Sequence, residues 1–442
     1  MSGLRTRLAS RAGAGVAALS RSVGAGDGSV IGGRVSLALD PGALASLGRG
    51  HPAGLVSGTN GKTTTTRLLA AALETAGPVV TNLGGANLPP GLVTALARAG
   101  PGAMAALEVD EAYVPRVAQA LSPRALCLLN LSRDQLDRIN EVRMLAGRWR
   151  SAVAAMASTT VVANADDPMV AWAAGTAPQV VWVAGGLAWH LDATGCPACE
   201  GVIAFAGAGA GAGSAGGEWS CTAGCGLRRP RPEVLLDGAD LVRRSEDGEE
   251  RFALSVCLPG AHNRANAMMA AVTAAQMGVS LAEAARAVGA VGEVAGRYGV
   301  VRVEGAAARL ILAKNPAGWM TVFDLLAPGP LAVAINARVA DGRDPSWLWD
   351  VPFERLAGRT VVATGERCRD LAVRLRYAGV DHVTEADLGR AVTLAHRLRL
   401  SQDGAGGPTA AELPDRPVDV VANYTSFQAL RRLGRRGGGE RG

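Results

Sequence analysis

A glycine-rich loop between a strand and a helix constrains this chain more than any other feature. The apolar run Ala53–Val56 predicts a short buried strand, and Thr63–Ala76 has the pattern of a helix. Between them stand Gly58-Thr59-Asn60-Gly61-Lys62-Thr63-Thr64, a looser form of G-x-x-x-x-G-K-[ST] in which the first glycine, Gly54, is shifted from its expected position. The backbone N–H groups of such a loop and the helix N-terminus bind a triphosphate, which Lys62 reaches while the Thr63 hydroxyl binds Mg²⁺. The alternative is a glycine turn without a ligand, and the order of strand, loop, Lys-Thr and helix favours the nucleotide site.

Lysine is almost absent from this sequence. The chain carries 45 basic residues, and Lys62 and Lys314 are the only lysines among them. Where arginine is the default cation, a lysine marks a place that needs a compact ammonium, so we expect both lysines near phosphate. The net charge of +6 is spread along the chain, and aromatic residues make up only 4% of it. This composition argues against a nucleic-acid partner, which needs basic patches and stacking platforms.

Apolar runs that alternate with helical patterns organise the rest of the chain. Buried strands are predicted over Ala103–Val109, Ala125–Leu131, Thr160–Ala163, Phe252–Leu258, Leu331–Asn336 and Thr360–Thr364, and a helix over Asn263–Met277. This alternation predicts an α/β fold with mostly parallel sheets. We predict an N-terminal segment over residues 1–45, a central nucleotide-binding domain over 46–298 with an insertion at 190–232, a smaller α/β domain over 299–432 and a disordered basic tail over 433–442.

The N-terminal stretch Met1–Val23 carries scattered arginines that interrupt the apolar core a signal peptide needs. Two interpretations stay open for it: a basic amphipathic helix that lies on a membrane or on a partner, or a surface helix packed on its own domain. No apolar run of about 18 residues predicts a transmembrane helix. The chain has 7 unevenly spaced cysteines, which is not the pattern of a secreted disulfide framework. We therefore expect a cytoplasmic protein, either free or held peripherally at the inner membrane surface.

Four of the cysteines form two close pairs inside the insertion. Cys196-Pro-Ala-Cys199 and Cys221-Thr-Ala-Gly-Cys225 are separated by 21 residues, and four thiolates in two short loops suit tetrahedral Zn²⁺. Such a ribbon is structural, because four thiolates leave no open position for catalysis. The alternative is a degenerate ribbon of four unligated cysteines. The other cysteines lie in apolar runs and are expected in the core: Cys127, Cys257 and Cys368.

Six more short motifs follow the phosphate loop in order. They are Thr81-Asn82-Leu-Gly-Gly-Ala86-Asn87, Ala-Leu-Glu108-Val-Asp110-Glu111, Asn130-Leu-Ser-Arg133-Asp134-Gln-Leu-Asp137, Asn164-Ala-Asp166-Asp167-Pro, Gly260-Ala-His262-Asn263-Arg-Ala-Asn266 and Gly296-Arg297. In this order, over about 250 residues, they resemble the Mur ligase family, whose members use ATP to activate carboxylates as acyl phosphates. The resemblance implies a P-loop central domain and a smaller, Rossmann-like C-terminal domain.

The resemblance also implies a role for each motif. Glu108 would bind magnesium together with Thr63. The substrate side would be formed by Thr81, Asn82, Asn87, Arg133 and Asp134. The ATP side would be formed by Gly58, Thr59, Asn60, Gly61, Lys62, Thr63 and Thr64 at the phosphates, Asn164 and Asp166 at the ribose, His262, Asn263 and Asn266 at the adenine, and Arg297 at a phosphate near the domain junction.

Three departures narrow the resemblance. Only about 50 residues precede the loop, so we do not expect the UDP-binding N-terminal domain of the family. Many family members support a second Mg²⁺ with a carbamylated lysine, and neither Lys62 nor Lys314 stands at that place. The cysteine insertion is foreign to most of the family. All three departures resemble the MurT branch, as do the stretches Gly28–Asp40, Arg133–Arg138, Lys314–Gly318 and Asp341–Asp350.

The MurT branch is the ligase-like subunit of the enzyme that amidates the peptidoglycan stem peptide. The resemblance implies that ATP activates the α-carboxylate of D-Glu in lipid II, with Lys62 and Glu108 as catalytic residues, and that ammonia converts the acyl phosphate into D-isoglutamine. The chain has 5 histidines, none of them in a recognisable Cys–His glutaminase signature. The ammonia is therefore expected from a separate, GatD-like glutaminase subunit.

In the MurT branch the C-terminal domain lends this glutaminase a catalytic carboxylate. The resemblance makes Asp350 the first candidate and Asp344 the second, with capping of a turn as the alternative for each. Trp347 and Trp349 beside them either anchor an interface or fill the core.

Two other functions stay open from the sequence. One is a stand-alone ligase that adds an amino acid, like a folylpolyglutamate or cyanophycin synthetase, although such enzymes usually need the carbamylated lysine. The other is a scaffold that binds ATP without turnover, in which the loop only senses the nucleotide.

Overall fold

A computed structural model describes residues 2–22, 28–82, 86–133, 139–187, 189–206, 217–292, 298–403 and 417–437 of the 442-residue chain. The chain divides into two compact units. Unit 1 comprises Met1–Ser132 and Asn140–Gly292, and unit 2 comprises Arg133–Ile139 and Glu293–Gly442. Among the described residues, no helix is long and apolar enough to cross a membrane.

Unit 1 is built on a nine-stranded sheet. The nine strands of this sheet are β1 (Ala53–Ser57), β2 (Val79–Thr81), β3 (Met104–Glu108), β4 (Ala125–Leu128), β5 (Thr160–Asn164), β6 (Val180–Ala184), β9 (Val234–Asp237), β10 (Asp240–Ser245) and β11 (Gly248–Ala253). A separate hairpin is formed by β7 (Ile203–Phe205) and β8 (Trp219–Cys221). The order in the sheet is β11-β10-β9-β6-β5-β4-β1-β3-β2. Within this sheet, the neighbouring strands β9, β6, β5, β4, β1, β3 and β2 are parallel, and β9, β10 and β11 form an antiparallel edge.

Ten helices of unit 1 lie among the described residues. They are α1 (Ser2–Ser22), α2 (Ser29–Leu39), α3 (Ala43–Gly48), α4 (Lys62–Glu74), α5 (Pro89–Leu96), α6 (Val114–Leu121), α7 (Ile139–Ala154), α8 (Pro168–Ala174), α9 (Ala261–Gln276) and α10 (Leu281–Gly289). Short side chains cap two of them. Asp167 accepts hydrogen bonds from the first turn of α8, and Ser280 with Glu283 forms a capping box on α10.

Strand β1 fixes the place of the glycine-rich loop. All its residues are buried, as expected of a strand covered by helices on both faces. It pairs with β3 on one side and β4 on the other, with Val56 opposite both Glu108 and Cys127. The order of the strands changes direction here, and doubly wound sheets bind ligands at the carboxyl ends of the strands at such a point.

Unit 2 contains a second sheet of six strands in the order β12-β13-β17-β14-β15-β16. Its strands are β12 (Tyr298–Val303), β13 (Ala306–Leu312), β14 (Leu331–Ala334), β15 (Val361–Thr364), β16 (His382–Thr384) and β17 (Val418–Ala422), and its helices are α11 (Pro316–Phe323), α12 (Cys368–Tyr377), α13 (Leu388–Asp403) and α14 (Tyr424–Gly437). Only the β12–β13 pair is antiparallel among the described strands. The α/β character expected of the C-terminal part is therefore confirmed.

Three local expectations were wrong. The strand predicted over Phe252–Leu258 lies earlier, at β11, because a tight turn pairs Ser245 with Gly248 and fixes the hairpin register. Cys257 consequently falls outside the sheet and is exposed, whereas Cys127 and Cys368 are buried as predicted. Helix α14 continues to Gly437, into the segment expected to be a disordered tail, and residues 438–442 lie outside the described part.

Candidate functional site

The glycine-rich loop leaves β1 and enters α4 through two glycines in the left-handed region. Gly58 has φ 146° and Gly61, the N-cap of α4, has φ 88°. A Cβ atom on Gly58 would lie 2.8 Å from the Cβ of Leu129, and one on Gly61 would lie 2.7 Å from Asn266 Oδ1. Only glycine fits both the backbone angles and the space. Helix α4 therefore starts at Lys62 with the N–H groups of its first turn directed toward the loop.

Lys62 is buried and held by three oxygen atoms. Its Nζ donates to Gly58 O at 2.6 Å and to Thr59 O at 3.3 Å, and it forms an ion pair with Glu111 Oε2 at 3.1 Å. Sequence reasoning named Lys62 but missed Glu111. The available signal was its place three residues after Glu108 at the end of β3, since β3 neighbours β1 in the sheet. Glu111 thus places a carboxylate at the loop, where an oxygen ligand suits a cation that accompanies a phosphate.

Asn130, at the end of β4, clamps the loop. Its backbone O accepts from Thr59 N at 2.9 Å, its Oδ1 accepts from Asn60 N at 2.9 Å, and its Nδ2 donates to Asn60 O at 3.0 Å. The Thr59 hydroxyl also exchanges hydrogen bonds with the backbone of Ser132. These bonds hold the loop in shape without a ligand. Thr63 and Thr64 follow in the first turn of α4, with Thr64 buried.

Glu108 is buried at the end of β3 and is positioned by two asparagines. Asn82 Oδ1 accepts from Glu108 N at 2.8 Å, and Asn82 Nδ2 donates to Glu108 O at 2.8 Å. Asn87 Nδ2 donates to Glu108 Oε1 at 3.2 Å. Thr81 ends the neighbouring strand β2 and is half-buried. The predicted substrate-side asparagines therefore orient the predicted magnesium ligand.

The start of α9 lies against the loop from another direction. Asn266 contacts Gly61, and its Nδ2 lies 3.5 Å from Asn263 Oδ1. Asn263 is buried and donates from Nδ2 to Pro259 O at 2.6 Å. His262 occupies the first turn of the same helix. The motif expected at the adenine side is thus adjacent to the motif expected at the phosphates.

Asn164 and Asp166 form a tight loop after β5. Asn164 donates to Leu129 O and Gly186 O and accepts from Asp166 N. Asp166 accepts from Gly186 N and from Arg229 Nε, both at 2.7 Å. Burial raises the pKa of Asp166, and the Arg229 guanidinium opposes that rise. Both side chains hold local structure, and their contact with a ribose stays a prediction.

The four cysteines of the insertion converge. The Sγ atoms of Cys196, Cys199, Cys221 and Cys225 all lie within 4.8 Å of one another. Cys196 and Cys225 are 3.6 Å apart, and Cys199 and Cys221 are 3.5 Å apart. These distances exceed a disulfide bond of about 2.05 Å and are close to the separation of about 3.8 Å that tetrahedral Zn–S bonds of about 2.3 Å impose. Trp219 of β8 anchors the insertion, because it is buried and donates from Nε1 to Ala165 O at 3.0 Å.

The two aspartates proposed for the partner differ in their surroundings. Asp344 Oδ1 accepts from Ser346 N at 2.8 Å just before the 3-10 helix Ser346–Asp350, and hydrogen bonding to Ser346 lowers the pKa of Asp344. Asp350 ends that helix half-buried, and its Oδ2 has no hydrogen-bond partner among the described residues. Arg133, which groups with unit 2, lies 3.5 Å from this oxygen. Asp344 is thus engaged with its own turn and Asp350 with the Arg133 guanidinium, and the role of either aspartate toward a partner stays a prediction.

An aromatic pair lies next to Asp350 on the surface of unit 2. Trp349 and Tyr377 are exposed and pack edge to face with ring centroids 5.4 Å apart. The Arg374 guanidinium lies 5.7 Å from the Trp349 ring. Trp347, in contrast, is buried in the core of unit 2. Of the two tryptophans, only Trp349 can anchor an interface, and Trp347 fills the core.

Two predicted positions, Asp134 and Arg297, lie outside the described residues. Lys314 precedes α11, where Asn315 accepts a hydrogen bond from Gly318 N at 2.8 Å as the N-cap.

Comparisons with known proteins identify both halves of the chain. A family model of the Mur ligase middle domain matches residues 56–186, and one of the MurT ligase C-terminal domain matches residues 312–427. The MurT subunit of lipid II isoglutaminyl synthase (glutamine-hydrolyzing) from Streptococcus pneumoniae is 31% identical over 388 residues, which cover 81% of this chain and 85% of that protein. The subunit of the same name from Staphylococcus aureus strain COL is 26% identical over 359 residues, or 76% and 80% of the two chains.

Solved structures agree on the fold. A pseudomurein peptide ligase type C from Methanothermus fervidus has a TM-score of 0.61 at 18% identity, covering 87% of this chain and 79% of that one. MurF from Acinetobacter baumannii also has a TM-score of 0.61, at 14% identity, covering 90% and 79%. With a MurT relative above 30% identity along most of both chains, this chain belongs to the MurT family of Mur ligase-like proteins.

Proposed function

We propose that this chain is the synthetase subunit of a lipid II isoglutaminyl synthase. It would use ATP to amidate the α-carboxylate of the D-Glu residue in the lipid II stem peptide. The observation that carries the proposal is the buried Lys62 at the start of α4, which forms an ion pair with Glu111, while Glu108 ends β3, the strand that pairs with β1. The MurT relatives are named as subunits of lipid II isoglutaminyl synthase, and the proposed substrate and reaction follow from that name.

The loop residues fit the phosphoryl-transfer step. The substrate carboxylate attacks the γ-phosphorus of ATP, ADP leaves, and an acyl phosphate forms; ammonia then attacks the acyl carbon, and phosphate leaves. Lys62 and the N–H groups of the first turn of α4 would neutralise the charge on the transferring group. Glu108 and the Thr63 hydroxyl are oxygen donors of the kind that hold Mg²⁺, which when bound screens the phosphate charges.

The ammonia would come from a glutaminase subunit that docks on unit 2. Asp350 supports this because it offers an oxygen without a hydrogen-bond partner among the described residues. The exposed pair Trp349 and Tyr377 beside it has the composition of an interface anchor. Asp350 would orient the catalytic histidine of the partner, as the acidic member of a triad does.

The cysteine cluster would hold a structural zinc ion, since four sulfur atoms at the observed spacing match a tetrahedral site. We expect about one zinc atom per purified chain by elemental analysis. Replacement of the buried Cys196 by serine is expected to remove most of that zinc and to lower the thermal midpoint, because the ligand set and a small core are both broken. Cys257→Ser is the matched control, because Cys257 is exposed and apart from the cluster. A wild-type chain without zinc would contradict the assignment.

The reaction itself is tested with the chain, lipid II, ATP and ammonium, followed by mass spectrometry of the product. We expect conversion of the D-Glu α-carboxyl group to the carboxamide, with ADP and phosphate formed in equal amounts. The same chain with a co-purified glutaminase subunit is expected to accept glutamine in place of ammonium. Addition of an amino acid by the chain alone would refute the amidation in favour of a stand-alone ligase. Because lipid II is carried by a membrane, the chain would work peripherally at the inner membrane surface.

A further inference from the structure

Helix α1 presents a charged and apolar face that the rest of unit 1 does not cover. Its opposite face packs on α2 through small side chains. Thr6, Ala9, Gly13 and Ala17 are buried there. A Cβ on Gly13 would clash with Gly32 O, so the two helices are in close contact at this point. At one end of the pair, Thr6 Oγ1 donates to Asp40 Oδ2 at 2.6 Å and Arg5 Nε donates to Leu39 O at 2.9 Å.

The uncovered face carries a stripe of leucines. Leu4, Leu8 and Leu19 are 67%, 58% and 63% exposed. At 3.6 residues per turn, they lie within about 60° of one another around the helix axis. The residues between them on this side, Ala12 and Gly15, are small and exposed. Leu39 of α2 is also exposed, and its contact with Arg5 places it at the Leu4 end of the pair.

Arginines flank the stripe, and acidic residues are absent from both helices. Helix α1 contains Arg5, Arg7, Arg11 and Arg21, and α2 contains Arg34. Neither helix sequence includes an aspartate or a glutamate. Arg7 and Arg11 are exposed on one side of the leucines, and Arg5 lies on the other. An apolar stripe between basic side chains is the pattern of a helix that lies in the interface of an anionic membrane.

We propose that α1 is a membrane-docking helix that binds anionic phospholipid through Leu4, Leu8 and Leu19 and the neighbouring arginines. The charge favours lipid over a protein partner, because Arg5, Arg7 and Arg11 flank the stripe and neither helix contains an acidic residue, which matches an anionic surface. The face also lacks the aromatic anchors that carry most protein interfaces. The biological purpose of the docking rests on the proposed function, since it would bring unit 1 to a lipid-borne substrate.

Sedimentation of the full chain with vesicles tests the surface. Wild type is expected to bind mixed vesicles of phosphatidylglycerol and phosphatidylcholine and to dissociate from them as the salt concentration rises. It is not expected to bind vesicles of phosphatidylcholine alone. The variants L4S/L8S and R7E/R11E are each expected to weaken the partition about tenfold. The matched controls V300S/V383S and R286E/R369E change exposed residues elsewhere and are expected to bind like wild type. All these side chains are exposed, so unchanged thermal midpoints will show that the variants fold.

Two further results separate this proposal from the proposed function. With lipid II dispersed in detergent, the α1 variants are expected to amidate at the wild-type rate, whereas with lipid II in vesicles their rate falls with the partition. If wild type amidates neither form, the proposed function fails while the vesicle binding is still decided by sedimentation. Wild type that does not bind anionic vesicles, or α1 variants that bind them as wild type does, would overturn the docking surface. Loss of glutaminase binding in the α1 variants, with vesicle binding intact, would assign the face to the partner instead.

Discussion

Replacement of Lys62 by alanine is expected to lower the rate of ATP-dependent amidation by about 10²- to 10³-fold or more, in line with the loss of one preorganised charge at a transition state. The ammonium of Lys62 lies at the start of α4 and bonds to loop carbonyls, where it would meet the transferring phosphoryl group. The measurement is the initial rate of amidation with ammonium, so that the partner does not limit it. A Lys62→Ala variant that amidates at the wild-type rate would refute the role of the loop.

Two companion variants separate chemistry from folding. Arg67→Ala removes an exposed cation from the same helix and is expected to keep wild-type activity. Lys62→Ala leaves Glu111 without its ion pair, which destabilises a half-buried carboxylate. The double variant K62A/E111A removes both charges and is expected to recover thermal stability but not activity. Recovery of both would show that Lys62 serves the fold alone. Retained ATP binding with no turnover in wild type would instead support the scaffold interpretation.

Much of unit 1 could be predicted because its signals are local. Strand β1, the glycine loop and helix α4 follow one another within a few residues, and apolar runs with turn residues between them define such elements directly. The motif around Asn263 and Asn266 was assigned to the adenine side through the family resemblance, whereas the contact of Asn266 with Gly61 is seen only in the structure. The paired cysteines had the spacing of a metal site, and their sulfur atoms do converge.

What could not be predicted depends on partners that are distant in sequence. The ion pair of Lys62 with Glu111 arises because β1 and β3 are neighbours in the sheet, and a short motif does not contain this information. Cys257 lies in an apolar run, yet the register of the β10–β11 hairpin places it outside the sheet. Trp347 and Trp349 have the same type and nearly the same place in sequence, and only the 3-10 helix decides that one is buried and the other exposed.

The two candidate aspartates show the same limit and lead to the second large effect. In sequence, Asp344 and Asp350 are both acidic residues beside a tryptophan-rich turn. The structure separates them, because Asp344 is engaged with Ser346 N while Asp350 Oδ2 has no hydrogen-bond partner among the described residues. Replacement of Asp350 is therefore expected to reduce the activity of the partner, and replacement of Asp344 is expected to weaken the turn.

The isosteric change Asp350→Asn is expected to lower glutamine-dependent amidation by about 10⁴-fold and to leave ammonium-dependent amidation near the wild-type rate. The magnitude is that of removing the acidic member of a catalytic triad, where the histidine loses its correct tautomer and orientation. The comparison of the rate with glutamine and the rate with ammonium is decisive, because a structural defect in unit 2 would reduce both of them. Asp381→Asn changes an exposed aspartate of the same unit and serves as the control. If Asp344→Asn abolishes the use of glutamine while Asp350→Asn does not, the assignment of the two aspartates is reversed, since the carboxylate of Asp350 would then have no function in the partner.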